Sequence, residues 1–244
     1  MPMRPNHHQA RKQGTPARTN ACVSTMRRLL REKRAVSVVE FALMLPIFVT
    51  LGMYGTEIAY MSTVNMQISQ MALSVADNAS RLGQLDNGVI DPTINETDVD
   101  AVMFGALKQG EALNFEQNGR VILSSLELDS LTGRQFIHWQ RCRGDLVKIS
   151  RYGDDSSTHN GLTGTPITGV GQPGFPVTAS ANNPVMVAEV YYNYHGLFGT
   201  MFTKDQLFRQ EAVMMVRDNR DLQNYHASPS QDGLTGSTTV SSCS

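Results

Sequence analysis

Residues 36–55 read VSVVEFALMLPIFVTLGMYG and run straight into TEIAYMSTVNMQISQMALSVADNASRL, residues 56–82. The first stretch has about 20 residues, enough as a helix to cross ~30 Å of hydrocarbon. Its one charge is Glu40, and a carboxyl inside a span costs roughly 2.5–3.5 kcal/mol even on lenient insertion scales. Pro46 removes one helix hydrogen bond mid-span, so a kink or local loosening is expected there. The second stretch has no Pro or Gly. Its apolar residues Ile58, Met61, Val64, Ile68, Met71, Ala72, Val75, Ala79 and Leu82 recur at threes and fours, the period of a helix with one apolar stripe. Gly83 supplies the stop. One helix over 36–82 follows, with an intramembrane first half and an amphipathic second half.

The charge pattern sets this helix in context. Residues 1–35 hold nine of the 21 Lys/Arg and one of the 22 Asp/Glu, about +8. The other 209 residues hold 12 and 21, about −9, so the net charge of −1 hides an asymmetry. A basic head before an apolar span predicts a cytoplasmic N-terminus and an exported remainder. An immediate span makes nucleic acid an unsuitable partner for the head. Residues 1–35 are polar, hold several prolines and lack an apolar period, so they read as a disordered basic leader.

Beyond the stalk, Thr97 or Asp98 can cap a short helix over 98–112. Strand signals follow at 121–128 and 135–142 around a turn at 129–134, then at 185–194 and 207–216. Residues 153–184 are a Gly/Pro/Ser/Thr-rich loop, and 226–244 a polar tail. The expected organisation is a leader (1–35), a spine helix (36–82), an exported α+β domain (83–225) and the tail. The domain packs a three- or four-stranded antiparallel sheet on the helix stripe. Of three cysteines, Cys142 and Cys243 fall in the exported part. They are either two free thiols or one disulfide, and an oxidising compartment favours the disulfide.

Taken together, the basic leader, the apolar helix and Glu40 just inside it resemble a type IV prepilin. Val39-Glu-Phe-Ala-Leu-Met-Leu-Pro46, Trp139-Gln-Arg-Cys-Arg-Gly144, Ala188-Glu-Val-Tyr-Tyr-Asn-Tyr194 with Leu197-Phe198, Val216-Arg-Asp-Asn-Arg220 and a Cys near the terminus are similar to the ordered motifs of TadE-like proteins. These are pseudopilins (minor pilins) of the tight-adherence, or Flp, pilus system, and the resemblance covers about 35–225. It implies a pilin-like helix as the polymerising element. It also implies cleavage between Ala35 and Val36 by a prepilin peptidase, with Ala35 standing where the family usually has glycine. The implied partners are other Tad pilins and pseudopilins, the inner-membrane assembly platform and the inner membrane itself. The location is the bacterial inner membrane, with the C-terminal domain periplasmic and eventual entry into an extracellular pilus. Glu40, the fifth mature residue, would pair with the Val36 amine of a neighbour and set axial register, an ion pair that is favourable only when geometry matches. Alternatively, Glu40 snorkels to the interface. The rival for the whole chain is an uncleaved single-pass anchor of the same assembly complex.

No enzyme emerges from the residues, since a nucleophile–base–orienter set cannot be assembled. On a strand, His138 would lie ~13 Å from Cys142. Gly169-Val-Gly-Gln-Pro-Gly174 matches a dinucleotide fingerprint on paper, but Pro173 and Pro176 preclude the helix that would bind phosphate. His138, His159 and His195 with Asp154 and Asp155 lack a recognised ligand spacing. Asp91, Glu96, Asp98 and Asp100 lack the EF-hand glycine and terminal Glu. Neither a metal nor a cofactor is expected. Of Trp139, Tyr191, Tyr192, Tyr194 and Phe198, most are expected in the sheet core. Strand alternation should turn some of the tyrosines toward solvent or a partner.

Overall fold

A computed structural model describes residues 33–83, 94–181, 183–216, 234–235 and 241–243. The leader through Glu32, Asp91, the 217–220 part of the late motif and most of the tail lie outside the described residues. The chain forms two compact units, Met1–Met53 and Tyr54–Ser244.

Helix α1, Lys33–Ser80, is continuous and passes through Pro46. It begins three residues before the expected Val36, because Lys33, Arg34 and Ala35 are all good helix formers. Within the first unit, the side chains of Val36–Gly52 are exposed and Met53 is half-buried. Thr50 Oγ1 donates to the Pro46 carbonyl at 2.7 Å, a bond that keeps its hydroxyl satisfied within the helix. Among the described residues this is the one helix long and apolar enough to cross a membrane, and its apolar window is entirely unburied. Residues 81–83 form the closing turn, with Gly83 at φ 80°, the left-handed conformation that a side chain disfavours.

The second unit is α+β. After α1 come β1 (Ile94–Asn95), α2 (Glu96–Gln109), a 3₁₀ turn (Glu111–Leu113) and the one-turn α3 (Phe115–Asn118). Strands β2 (Gly119–Leu128), β3 (Gln135–Arg143), β4 (Val185–Tyr194) and β5 (Gln206–Met215) follow, then β6 (Leu234–Thr235). The main sheet has the order β3-β2-β4-β5 and is antiparallel throughout. The tail is not wholly irregular, because β6 pairs in parallel with β1. The cap of α2 is Asn95, whose side chain accepts from Thr97 N–H at 2.9 Å, rather than Thr97 or Asp98. The helix therefore starts two residues earlier than the expected 98.

Val64, Ile68, Met71, Ala72, Val75, Ala76 and Ala79 of α1 are buried against Val121, Leu123, Trp139, Met186, Ala188, Val190, Tyr192 and Tyr194. Fully burying one such aliphatic chain contributes about 1.5–3 kcal/mol. The stripe is rotated from the expected one at its membrane-side end. Ile58 is 41 % exposed, and the inward residue of that turn is Glu57.

The second face of the sheet is covered by the long connection between β3 and β4. Val170, Ala179, Ile167, Tyr152 and Val177 of this connection pack on Leu126, Ile137, Val185 and Val187. Val170 and Val177 exchange both backbone hydrogen bonds, at 2.9 and 2.8 Å, closing the glycine-rich turn between them. Buried Glu189 fastens the same segment. It accepts from the Arg151 N–H at 3.2 Å, from Tyr191 Oη at 3.0 Å, from Arg209 Nη2 at 3.1 Å and from the Ser150 hydroxyl. This covering overturns the expectation that some β4 tyrosines reach solvent: Tyr191, Tyr192 and Tyr194 are all buried. They alternate between two covered faces rather than between core and water.

Ile68→Ala should cost about 2–5 kcal/mol in denaturant unfolding of the detergent-solubilised chain, because it opens a cavity in the core. Ile58→Ala should stay within about 0.5 kcal/mol. Equal losses would contradict the rotated stripe.

Candidate functional site

Positions 57, 61, 64, 68, 71 and 75 of α1 alternate steps of four and three, so they share one face. Five of the six are apolar and the sixth is Glu57. Its position carries the carboxylate into the interior, with 0 % of the residue exposed. An unpaired buried carboxylate is costly enough that surrounding groups must compensate it, and here they are supplied without any cation. Tyr194 Oη, from the last residue of β4, donates to Oε1 at 2.6 Å. The Leu197 N–H donates to Oε1 at 3.2 Å, and the Phe198 N–H to Oε2 at 3.2 Å. Thr203 Oγ1 adds a bond to Oε1 at 3.3 Å. Two successive backbone N–H groups converging on one anion form a small nest.

The local sequence explains why the loop can bend this way. A Cβ on Gly196 would come within 2.5 Å of the Gly199 carbonyl oxygen, 2.7 Å of Thr203 Oγ1 and 2.8 Å of Glu57 Oε1. Only glycine lets the chain pass so close to the carboxylate. Around it stand aromatic rings: Tyr194 stacks on Phe208 at 5.2 Å, and Tyr60 lies 6.0 Å from Tyr194. Phe202 meets both Tyr54 and Phe198 at 6.0 Å. Burial, and then the bond to Glu57, hold the Tyr194 phenol above its ordinary value, so it remains a donor. The carboxylate is saturated with donors and sealed from water. It acts as a latch between α1 and the β4–β5 loop, with three bonds on Oε1 and one on Oε2.

The Trp139–Gly144 segment is equally occupied. Trp139 lies in the core beneath α1. Gln140 Nε2 donates to Ser124 Oγ at 2.9 Å and to the Gly153 carbonyl at 3.1 Å. Arg141, buried, grips Glu96 of α2 through Nε at 3.0 and 3.2 Å and through Nη2. Cys142 is disulfide-bonded to Cys243, across 101 residues of sequence. Arg143 Nη2 donates to both oxygens of Asp100 at 2.6 Å. Gly144, at φ 103°, has the Gly119 carbonyl oxygen where a Cβ would be, 2.3 Å away. Alternate residues thus bind opposite layers: odd numbers reach α1 and α2, with Arg141 also 3.7 Å from Asp155 of the covering loop, and even ones the covering loop and the tail.

The remaining candidates do not gather. Ala35 and Val36 lie within α1, and Glu40 is exposed along it. His138 Nδ1 meets Glu127 Oε1 at 2.9 Å, His159 Nδ1 is 3.6 Å from Asp154, and His195 Nδ1 is 3.1 Å from Asp205, at three separate places. Two of the acids weighed as calcium ligands are taken by arginines, Glu96 by Arg141 and Asp100 by Arg143. Among the described residues no three His, Cys, Asp or Glu side chains come together as a metal-ligand group. Glu57 is the residue that sequence reasoning missed. Its signal is a carboxylate at a stripe position, next to the apolar Ile58. No family model, curated protein or solved structure matches this chain.

Glu57→Gln should be markedly destabilising, because one amide oxygen replaces two acceptor oxygens and an NH₂ is turned toward N–H and O–H donors. We expect a loss of roughly 1.5–3 kcal/mol in denaturant unfolding. Hydrogen exchange should localise it to the Leu197 and Phe198 amides. Unchanged exchange at those two amides would show that the latch is not what orders the loop.

Proposed function

We propose that this chain is a pseudopilin, or minor pilin, taking part in the assembly of a tight-adherence pilus. It is a single-pass protein of the inner membrane, with its basic head in the cytoplasm and its α+β domain in the periplasm. Prepilin peptidase cuts it between Ala35 and Val36, and it associates with other pilins and the assembly platform through its N-terminal helix. Chemistry is done to the chain and not by it. The observation that carries this reading is α1 itself. One uninterrupted helix leaves its apolar first half unburied and uses its second half as the spine of a small sheet domain. That division suits an element which must leave a bilayer and pack against like helices. The Cys142–Cys243 disulfide adds support for an oxidising compartment.

Glu40 has a role in this reading. No described residue bonds its carboxylate, and the new amine of Val36 on a neighbouring chain would supply a counter-charge and fix axial register. The second reading, a permanent uncleaved anchor, is favoured by one feature. The helix runs unbroken from Lys33 through the Ala35–Val36 bond, so the peptidase would have to open a helical turn to reach it.

Intact mass and terminal sequencing of the membrane-extracted protein decide between the two. A terminus at Val36 is expected, and one upstream of Ala35 would leave the anchor reading standing. Glu40→Ala should give a protein that is still cleaved but is incorporated into pili poorly, measured by its abundance in sheared fibres. Normal incorporation would remove Glu40 from the mechanism.

A further inference from the structure

The β4–β5 loop, residues 195–205, points apolar side chains outward. Leu197 is 52 % and Met201 71 % exposed, with Phe198 and Phe202 half-buried beneath them and Lys204 exposed beside them. Solvent-facing Leu and Met on one short loop need an explanation when they cluster. The explanation here lies in where the loop is tied. Its backbone is bonded to Glu57, two residues after Gly55, where the apolar stretch ends. Two helical residues rise only ~3 Å. The headgroup zone on each side of a bilayer is some 5–7 Å thick. Helical side chains also lean toward the N-terminus of their helix, so the Glu57 carboxylate reaches back toward the bilayer. In a bilayer crossed by residues 36–55, the N–H groups of Leu197 and Phe198 would therefore be held at headgroup height.

We infer that the β4–β5 loop is a second membrane contact, inserting Leu197 and Met201 into the boundary between headgroups and acyl chains of the bilayer that α1 crosses. The neighbouring residues suit that depth. Tyr54, exposed on α1 and 6.0 Å from Phe202, is an aromatic of the kind that sits at interfaces. Lys204 can lay its stem along the apolar surface and place its ammonium among phosphates. The opposite end of the sheet offers a contrast within the same domain. Leu131, in the β2–β3 turn, is as exposed as Met201. Strand register puts this turn beyond the end of β2 that pairs with the start of β4, ~30 Å from the Tyr194 end. It should remain in water. The inference depends on α1 crossing the bilayer and holds whether or not the leader is cut.

The test uses the full chain in phospholipid vesicles, with Cys22→Ser removing the leader's thiol and the Cys142–Cys243 disulfide intact. Nitroxides are attached at Phe48→Cys, Met201→Cys and Leu131→Cys, one at a time. Collision with dissolved oxygen is compared with collision with a water-soluble nickel chelate. The expected result is a lipid signature at 48, an aqueous one at 131, and at 201 an oxygen-to-nickel ratio several-fold above that at 131. An aqueous signature at 201 with 48 in lipid overturns the inference and leaves the span intact. Shielding from both reagents at 201 also overturns it, since protein and not lipid would then cover the loop. An aqueous signature at 48 removes the span and the inference with it.

Discussion

The Glu57 carboxylate is the constraint on which the arrangement of the second unit depends. A hydrophobic stripe alone is tolerant of rotation, because one apolar residue can replace its neighbour against a sheet at modest cost. An anion sealed from water is not tolerant, since a small rotation of α1 would strip it of donors. Its four bonds come from the end of β4 and from the loop beyond it. They fix the helix in rotation, in axial position and against one end of one strand. With that end set, the β4 register carries the order outward: Tyr192 opposite Gly119 in β2, and Tyr194 opposite Gln206 in β5. The aliphatic contacts over Val64–Ala79 then supply free energy to a geometry already chosen.

The sheet gains its second covering by a different device. Residues 144–184 contain few apolar side chains and many glycines, so they could not build a layer from hydrophobic burial alone. They are fastened at polar points instead. Glu189 holds Ser150 and Arg151, Gln140 holds Gly153, and Tyr152 reaches Glu211 at 3.0 Å. Between these anchors a handful of apolar residues, Val170 and Ala179 among them, is enough to exclude water from the sheet. The disulfide ties the tail to the same face, beside Ile122 and Tyr191. Each fastening starts from a strand residue whose neighbour in sequence serves the helix side, so β3, β4 and β5 organise both layers at once.

How much of this was legible in the sequence follows from which signals are local. Strand β4 is read at its observed limits because Val185–Tyr194 is a dense β-branched and aromatic run after Pro184. The helix and its stop at Gly83 are read because a 3.6-residue period over so long a stretch has few competing explanations. The misses are cases where a distant segment changes the meaning of a local one. Nothing in Ala188–Tyr194 says that a loop will cover its second face, so alternation seemed to demand exposed tyrosines. Nothing in residues 94–98 shows that Asn95 precedes the helix, since Asn, Thr and Asp are all fair caps. Glu57 is not legible because the rule for a core-facing stripe is that it contains apolar residues. The rule holds on average, but where it fails a carboxylate gains its donors from residues about 140 positions away, which no pattern in the helix reveals.

The same helix therefore carries two carboxylates under opposite physical regimes. Glu57 is enclosed by its own chain, which provides a hydroxyl pair and two amides, and its free energy is settled within the folded unit. Glu40 sits in the apolar half, exposed, with no described residue bonding it. A carboxylate at that depth has only external means of compensation, either headgroups reached by snorkelling or a cation brought by another molecule. The first would make the span indifferent to neighbours, while the second would make burial of the helix conditional on assembly. An internal ligand such as that of Glu57 would remove this conditionality. No described residue supplies such a ligand at Glu40, so in the proposed assembly its counter-charge comes from a second chain, whereas in a plain anchor it comes from headgroups.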